Sequence, residues 1–149
     1  VGRMKIERAS FGDAEEILRL QKLAYRREAE RYNDFGIDPL VQTIEQLQKQ
    51  FENHVVLKVV LHESIVGSVR AYDQDGTCFI GKLMVHPDHQ NKGIGKMLMS
   101  AIEGSFPHSR YELFTGSKSE SNIAFYEKLG YKTFKEKAIS GITFVYFEK

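Results

Sequence analysis

The segment Thr77–Lys96 leaves this chain few ways to fold. An apolar run reaches Val85, Pro87 stops it, and a polar loop with glycines at 93 and 95 leads into Ile94, Met97, Leu98, Ala101 and Ile102, which recur at helical spacing. A strand that ends in such a loop passes the chain to a helix that must bury its apolar stripe back against the sheet. One β–loop–α unit is thereby fixed, with Gly104 suited to the helix end.

The flanking sequence extends the sheet. Val55–Leu61 and Ile65–Tyr72 read as a hairpin, and Asp75-Gly76 is a second hairpin signal leading into Thr77–Val85. Downstream, Tyr111–Thr115 is a strand, Ser121–Leu129 a helix stopped by Gly130, and Lys132–Lys137 and Thr143–Phe147 two final strands. Upstream, Lys5–Arg8 is a short strand. Asp13 and Glu16 have capping-box spacing before a helix carrying Ile17, Leu20 and Ala24. A polar and aromatic loop is expected through Tyr25 to Pro39, followed by a helix in which Val41, Ile44, Leu47 and Phe51 share one face. The order β, α, α, β, β, β, α, β, α, β, β specifies a mixed α/β sheet with meander and crossover parts.

With 149 residues, no internal repeat and no linker-like tract, a single domain over 1–149 is expected; Met4 is a candidate natural start, which would make Val1–Arg3 non-native. Twenty-one basic side chains against 20 acidic ones give a net charge of +1, which offers no general footprint for nucleic acid or an anionic membrane. No apolar run approaches the roughly 20 residues of a spanning helix, and the charged N-terminus is unlike a signal peptide. Cys78 is the single cysteine, placed in an apolar run and expected in the core. A reducing compartment, the cytoplasm by default, follows.

The loop Gln90-Asn91-Lys92-Gly93-Ile94-Gly95-Lys96 is where chemistry is expected. Glycines at a helix start let a ligand approach the backbone, and the free N–H groups and positive dipole end favour phosphate. Lys92 and Lys96 add charge, and Gln90 can donate an amide hydrogen bond. By itself, Gly-x-Gly before a helix is often only a tight turn. The spacing is not that of the P-loop, nor of the dinucleotide fingerprint, whose third glycine position holds Leu98.

As a whole the segment resembles the Gcn5-related N-acetyltransferase (GNAT) family. Leu83-Met84-Val85-His86-Pro87 followed by Gln90-Asn91-Lys92-Gly93-Ile94-Gly95 is similar to its strand and Gln/Arg-x-x-Gly-x-Gly/Ala loop. Asn122, Phe125-Tyr126 and Gly130-Tyr131 are similar to its second signature. The resemblance implies a mixed, mostly antiparallel sheet of six to seven strands flanked by about four helices, with metal-free transfer of acetyl from acetyl-CoA to a primary amine of a small molecule or peptide. It implies that the pantetheine arm lies along Leu83, Met84 and Val85, where the strand splays at a bulge. The N–H of Leu83 would face the thioester oxygen, and residues 90–96 would hold the pyrophosphate. Asn122 and Phe125 would contact the coenzyme, and Tyr126 would protonate the departing thiolate. Apart from the resemblance, Lys118 and Lys128 are candidates for the 3′-phosphate, against the alternative of solvated surface lysines.

The pattern departs from the family where many members carry a strand glutamate, a place held here by Phe79. Glu28, His86 and a water chain are alternatives for the base. Tyr25, Tyr32 and Phe35 with Glu28 and Asp34 would form an aromatic, slightly acidic acceptor pocket, whereas Arg70 would suit an acceptor carboxylate. The missing carboxylate also allows a rival, an acyl-CoA-binding regulatory module with little or no catalysis. If Thr143–Phe147 lies at a sheet edge, it would pair with a second copy to form a homodimer.

Overall fold

The computed structural model describes residues 3–107 and 109–149. Seven strands form one sheet in the order β1-β2-β3-β4-β5-β7-β6: β1 Lys5–Arg8, β2 Val55–Leu61, β3 Ser64–Gln74, β4 Thr77–Val85, β5 Arg110–Gly116, β6 Lys132–Ile139 and β7 Ile142–Glu148. Every neighbouring pair is antiparallel except β4 with β5. The strand expected at the C-terminal edge, β7, lies between β5 and β6; β6, exposed along its whole length, is the edge. The reason is the order of pairing, since the final hairpin inserts its second strand beside β5.

Helices cover the two faces unequally. On one face α5 (Ile94–Gly104) buries Ile94, Leu98, Met99 and Ile102 against β2, β3 and β4, and Tyr126 of α6 (Glu120–Lys128) joins Phe147 and Leu113 in the same core. On the other face α1 (Ala14–Ala24) sets Ile17 and Leu20 against Val56, Ile65 and Met84, with Leu47 of α4 (Ile44–Gln50) beside them. Fully burying one such aliphatic side chain contributes about 1.5–3 kcal/mol. Cys78 is fully buried, and burial pushes its thiol up to about 12, so it behaves as a core residue.

The N-terminal third departs from expectation in three places. Asp13 and Glu16 do not cap α1 together: Asp13 accepts from the Ser10 amide (2.8 Å) and pairs with Lys58, while Glu16 accepts from the Ile65 amide (2.8 Å) and ties α1 to β3. The expected loop after Tyr25 contains α2 (Arg26–Tyr32), ended by Asn33 in the left-handed region (φ 49°). The helix expected from Pro39 is two, α3 (Asp38–Val41) and α4, because Gln42 is extended and Thr43 begins a new capping box with Gln46. Val41 therefore turns to solvent and does not share a face with Ile44 and Leu47.

One glycine sets how closely α5 approaches the sheet. A Cβ at Gly67 of β3 would lie 2.8 Å from Ile94 Cγ2 and 3.1 Å from Leu98 Cδ1. Gly67→Ala is expected to lower stability by about 1–3 kcal/mol through overpacking. Denaturant titration should show a lower midpoint with an unchanged slope.

Candidate active site

β4 and β5 begin as neighbours and then part. Their parallel register covers Thr77↔Arg110, Cys78↔Tyr111 and Phe79↔Glu112 and goes no further, although β4 continues to Val85 and β5 to Gly116. On its other side β4 changes register with β3 between Arg70↔Gly81 and Ser68↔Met84, so Lys82 and Leu83 together oppose Val69. Lys82 is left-handed (φ 51°), a conformation that costs a residue other than glycine on the order of 1–3 kcal/mol. This bulge bends β4 away from β5 and opens a split between them.

The glycine loop stands where β4 ends. A short turn, Pro87–His89, leads to Gln90, Asn91 (φ 61°) and Gly93 (φ 81°), the residue before α5. No side chain caps α5, so its first-turn N–H groups are free for a ligand. Gln90, Asn91, Lys92, Gly93 and Lys96 are exposed, whereas Ile94 is buried. A Cβ at Gly95 would come within 3.3 Å of Phe125 Cζ, so Gly95 is what lets α6 stand next to the loop. These free amides, the left-handed glycine and the open split fit the pyrophosphate and pantetheine of a coenzyme A.

Two tyrosines meet near the split from opposite faces. Tyr126 belongs to the core beneath α5 and packs on Phe125, Tyr131 and Phe147. Burial, with the nearby Tyr25 and Glu28, pushes its phenol far above the ordinary tyrosine range, so it stays protonated. Tyr25 comes from the α1 side and donates to the Leu83 carbonyl at 3.1 Å. Asn122 donates to Thr115 Oγ1 (3.3 Å) at the end of β5.

The helix α2 fastens onto the start of α6. Ser119, fully buried, donates to Glu28 Oε2 at 2.5 Å, and Arg31 holds the other carboxylate oxygen. Tyr32 accepts from the Lys118 amide (2.8 Å) and lies over Gly116 so closely that any side chain there would collide with its hydroxyl. The structure thus gathers Tyr25 and Glu28 near Tyr126 and sets Tyr32 over the end of β5, with the polar atoms of all three engaged. Phe35 is exposed and Asp34 accepts from the Gly36 amide, so these two do not join them in a pocket. His86 accepts from the Asp88 amide and borders α1 at Glu16 and Arg19.

A chamber of about 290 Å³ lies elsewhere, on the α1–α4 face at the base of the split. Arg70 forms its floor. Arg70 is 2% exposed; its guanidinium donates to Gln21 Oε1 (3.0 Å) and Gln42 Oε1 (2.9 Å), and burial pulls it down to about 10. Tyr72 stacks on Phe79 (5.2 Å between ring centres) with His54 at its edge, and Lys82 and Glu112 complete the walls. Lys82, His54 and Glu112 were not singled out from sequence. Alternation along Tyr111–Thr115 does place Glu112 with Phe114, opposite the buried Leu113, and that was the available signal. Nothing local marks Gln21 or Gln42 as partners of Arg70.

The comparisons agree with this geometry. The model of the acetyltransferase (GNAT) family matches residues 14–131, and the chain belongs to that family, whose cosubstrate is acetyl-CoA. It is similar to the glucosamine 6-phosphate N-acetyltransferase of Schizosaccharomyces pombe, 44% identical over 57 residues, which are 37% of this chain and 50% of that protein; the match thus spans about half of the relative's length. Among solved structures, the PaiA N-acetyltransferase of Thermoplasma acidophilum in complex with coenzyme A superposes with a TM-score of 0.80 at 14% identity, covering 99% of each chain. The yncA structure from Salmonella typhimurium, which holds acetyl-CoA, gives a TM-score of 0.75 at 17% identity over 98% of this chain and 92% of that one. No helix among the described residues is long and apolar enough to cross a membrane.

The clamp between α2 and β5 can be tested directly. Gly116→Ala should displace Tyr32 and release α2. Hydrogen exchange across Arg26–Tyr32 should then rise by roughly ten-fold, about the effect of one lost hydrogen bond, with β2 and β3 unchanged.

Proposed function

We propose that the protein is an N-acetyltransferase that moves acetyl from acetyl-CoA to the primary amine of a small molecule by direct attack. The reading is carried by one observation: β4 leaves β5 after Phe79↔Glu112, and the gap has the free α5 N-terminus at its outer end and a protonated tyrosine beside it.

Acetyl-CoA supplies the acyl group and a thiolate leaving group. Residues Gln90–Lys96 hold the pyrophosphate through backbone N–H groups, aided by Lys92 and Lys96. Leu83, Met84 and Val85 line the arm, with Asn122 and Phe125 on its other side. The Leu83 N–H donates to the thioester oxygen as negative charge grows there, while Tyr25 holds the Leu83 carbonyl and fixes the direction of that part of the bulge. Tyr126 donates its phenolic proton toward the sulfur. Glu28 and Tyr32 act by position, fastening α2 over the end of β5.

An ammonium must lose a proton before it can attack, and Phe79 offers no base. Glu112 faces Phe79 across the last paired position of the split strands and borders the chamber, so we assign deprotonation to it. With Glu112 as the base, catalysis does not require a carboxylate at Phe79, and the rival of a module that binds coenzyme A without catalysis predicts binding with no turnover of any amine. A single buried cysteine suits a reducing compartment such as the cytoplasm, and the bare edge of β6, rather than β7, is the place for pairing with a second copy.

Tyr126→Phe should lower kcat by about 10²–10⁴-fold while calorimetry shows coenzyme A still binding; normal turnover would remove the general-acid role. Gly93→Glu should abolish that binding, because a carboxylate would occupy the anion site on a backbone that favours glycine (φ 81°). Glu112→Gln should lower kcat/KM at neutral pH and recover as pH rises through the acceptor amine's own pKa. A pH profile parallel to wild type would acquit Glu112.

A further inference from the structure

The charges in the chamber are unbalanced. Arg70 has no carboxylate within salt-bridge distance among the described residues; its two partners are amide oxygens, which satisfy N–H groups without cancelling the charge. Lys82 stands on the bulge beside it, 20% exposed, and its one acid among the described residues is Asp38 at 3.4 Å, a side chain 82% exposed and so well screened. Burial holds Arg70 below its ordinary range, and burial together with the charge of Arg70 does the same to Lys82 and to the neighbouring His54. The carboxylate on the opposite wall, Glu112, meets Arg110 through Oε1 at 2.9 Å and makes no ion pair with Arg70 or Lys82. A buried guanidinium is costly unless paired, and its fork of N–H donors matches a carboxylate or phosphate.

We infer that the acceptor is a small amine bearing an anionic group, a carboxylate or a phosphate, held by Arg70 and Lys82 while its amine lies toward Glu112 at the base of the split. This rests on the acetyltransferase reading and names the acceptor that the site takes. The chamber of about 290 Å³ suits a molecule of amino-acid or amino-sugar size. Two positive groups at one end and a carboxylate at the other orient a dipolar acceptor with its amine toward the thioester. They also reject a polyamine, whose second cation would have to face Arg70.

The test uses matched pairs that differ in the anionic group alone: glucosamine 6-phosphate against glucosamine, and alanine against alaninamide. Binding of each to the protein saturated with coenzyme A is measured by calorimetry. The anionic member of at least one pair should bind about ten-fold or more tightly than its neutral partner. Preference in the sugar pair alone assigns a phosphate, and preference in the amino-acid pair alone assigns a carboxylate. Lys82→Met should narrow the gap by weakening the anionic member, as should Arg70→Gln if that protein folds. Equal affinities, tighter neutral binding, or no binding by any member would overturn the inference. Thiol release with the same amines reports separately on the acetyltransferase reading. Turnover without discrimination would keep the enzyme and remove the anionic acceptor, whereas discrimination in binding with no turnover of any amine would do the reverse.

Discussion

Three residue pairs of parallel sheet hold β4 to β5, and the rest of the molecule is arranged around their ending. A parallel pair would ordinarily continue for the length of its shorter strand, because each unmade ladder bond leaves a donor or acceptor to be satisfied otherwise. Here the bulge at Lys82–Leu83 turns β4 aside, and the edges beyond Phe79 and Glu112 face a gap rather than each other. Backbone groups left open in this way suit an extended ligand such as a pantetheine arm, which can add to the sheet in place of a strand.

What keeps the gap open is packing on both faces. Ile94 and Leu98 of α5 sit against Gly67, close to the end of β4, so the bent strand has a rigid backing. From the other side Tyr25 bonds the Leu83 carbonyl, and α2 fastens through Glu28 and Tyr32 onto Ser119 and Lys118 beyond β5. The two strands are thus held at a fixed separation by elements that touch both. The strained Lys82 persists because its neighbours on either side are fixed.

The buried Arg70 serves two ends at once. Its bonds to Gln21 and Gln42 join β3, α1 and the chain before α4, and so hold the N-terminal helices over the sheet. Gln21 extends the link by donating to the Pro39 carbonyl (2.9 Å) and to Gln42 (2.9 Å). Neutral partners keep the guanidinium in place and leave its charge available at the floor of the chamber. A carboxylate in the place of either glutamine would make a stronger internal pair and a weaker binding site.

By itself the sequence determined the strand–loop–helix unit at Thr77–Ile102, the hairpins around it and the glycine loop, because hydrophobic period, Pro87 and the glycines act within a few residues of one another. Strands β1, β2 and β4 follow the expected bounds, and the others differ by a residue or two at their ends. The motif residues Gln90–Gly95, Asn122 and Tyr126 were legible for the same reason, being fixed in spacing along single elements. Where α3 ends and α4 begins was not legible, since Gln42 takes its extended form to reach Arg70, 28 residues further on. The position of β7 inside the sheet, the pairing of Phe79 with Glu112, and the gathering of Arg70, Lys82 and His54 were decided by tertiary structure alone. Such arrangements depend on which distant strands become neighbours and where a bulge stops their pairing, and no local period in the chain carries that information.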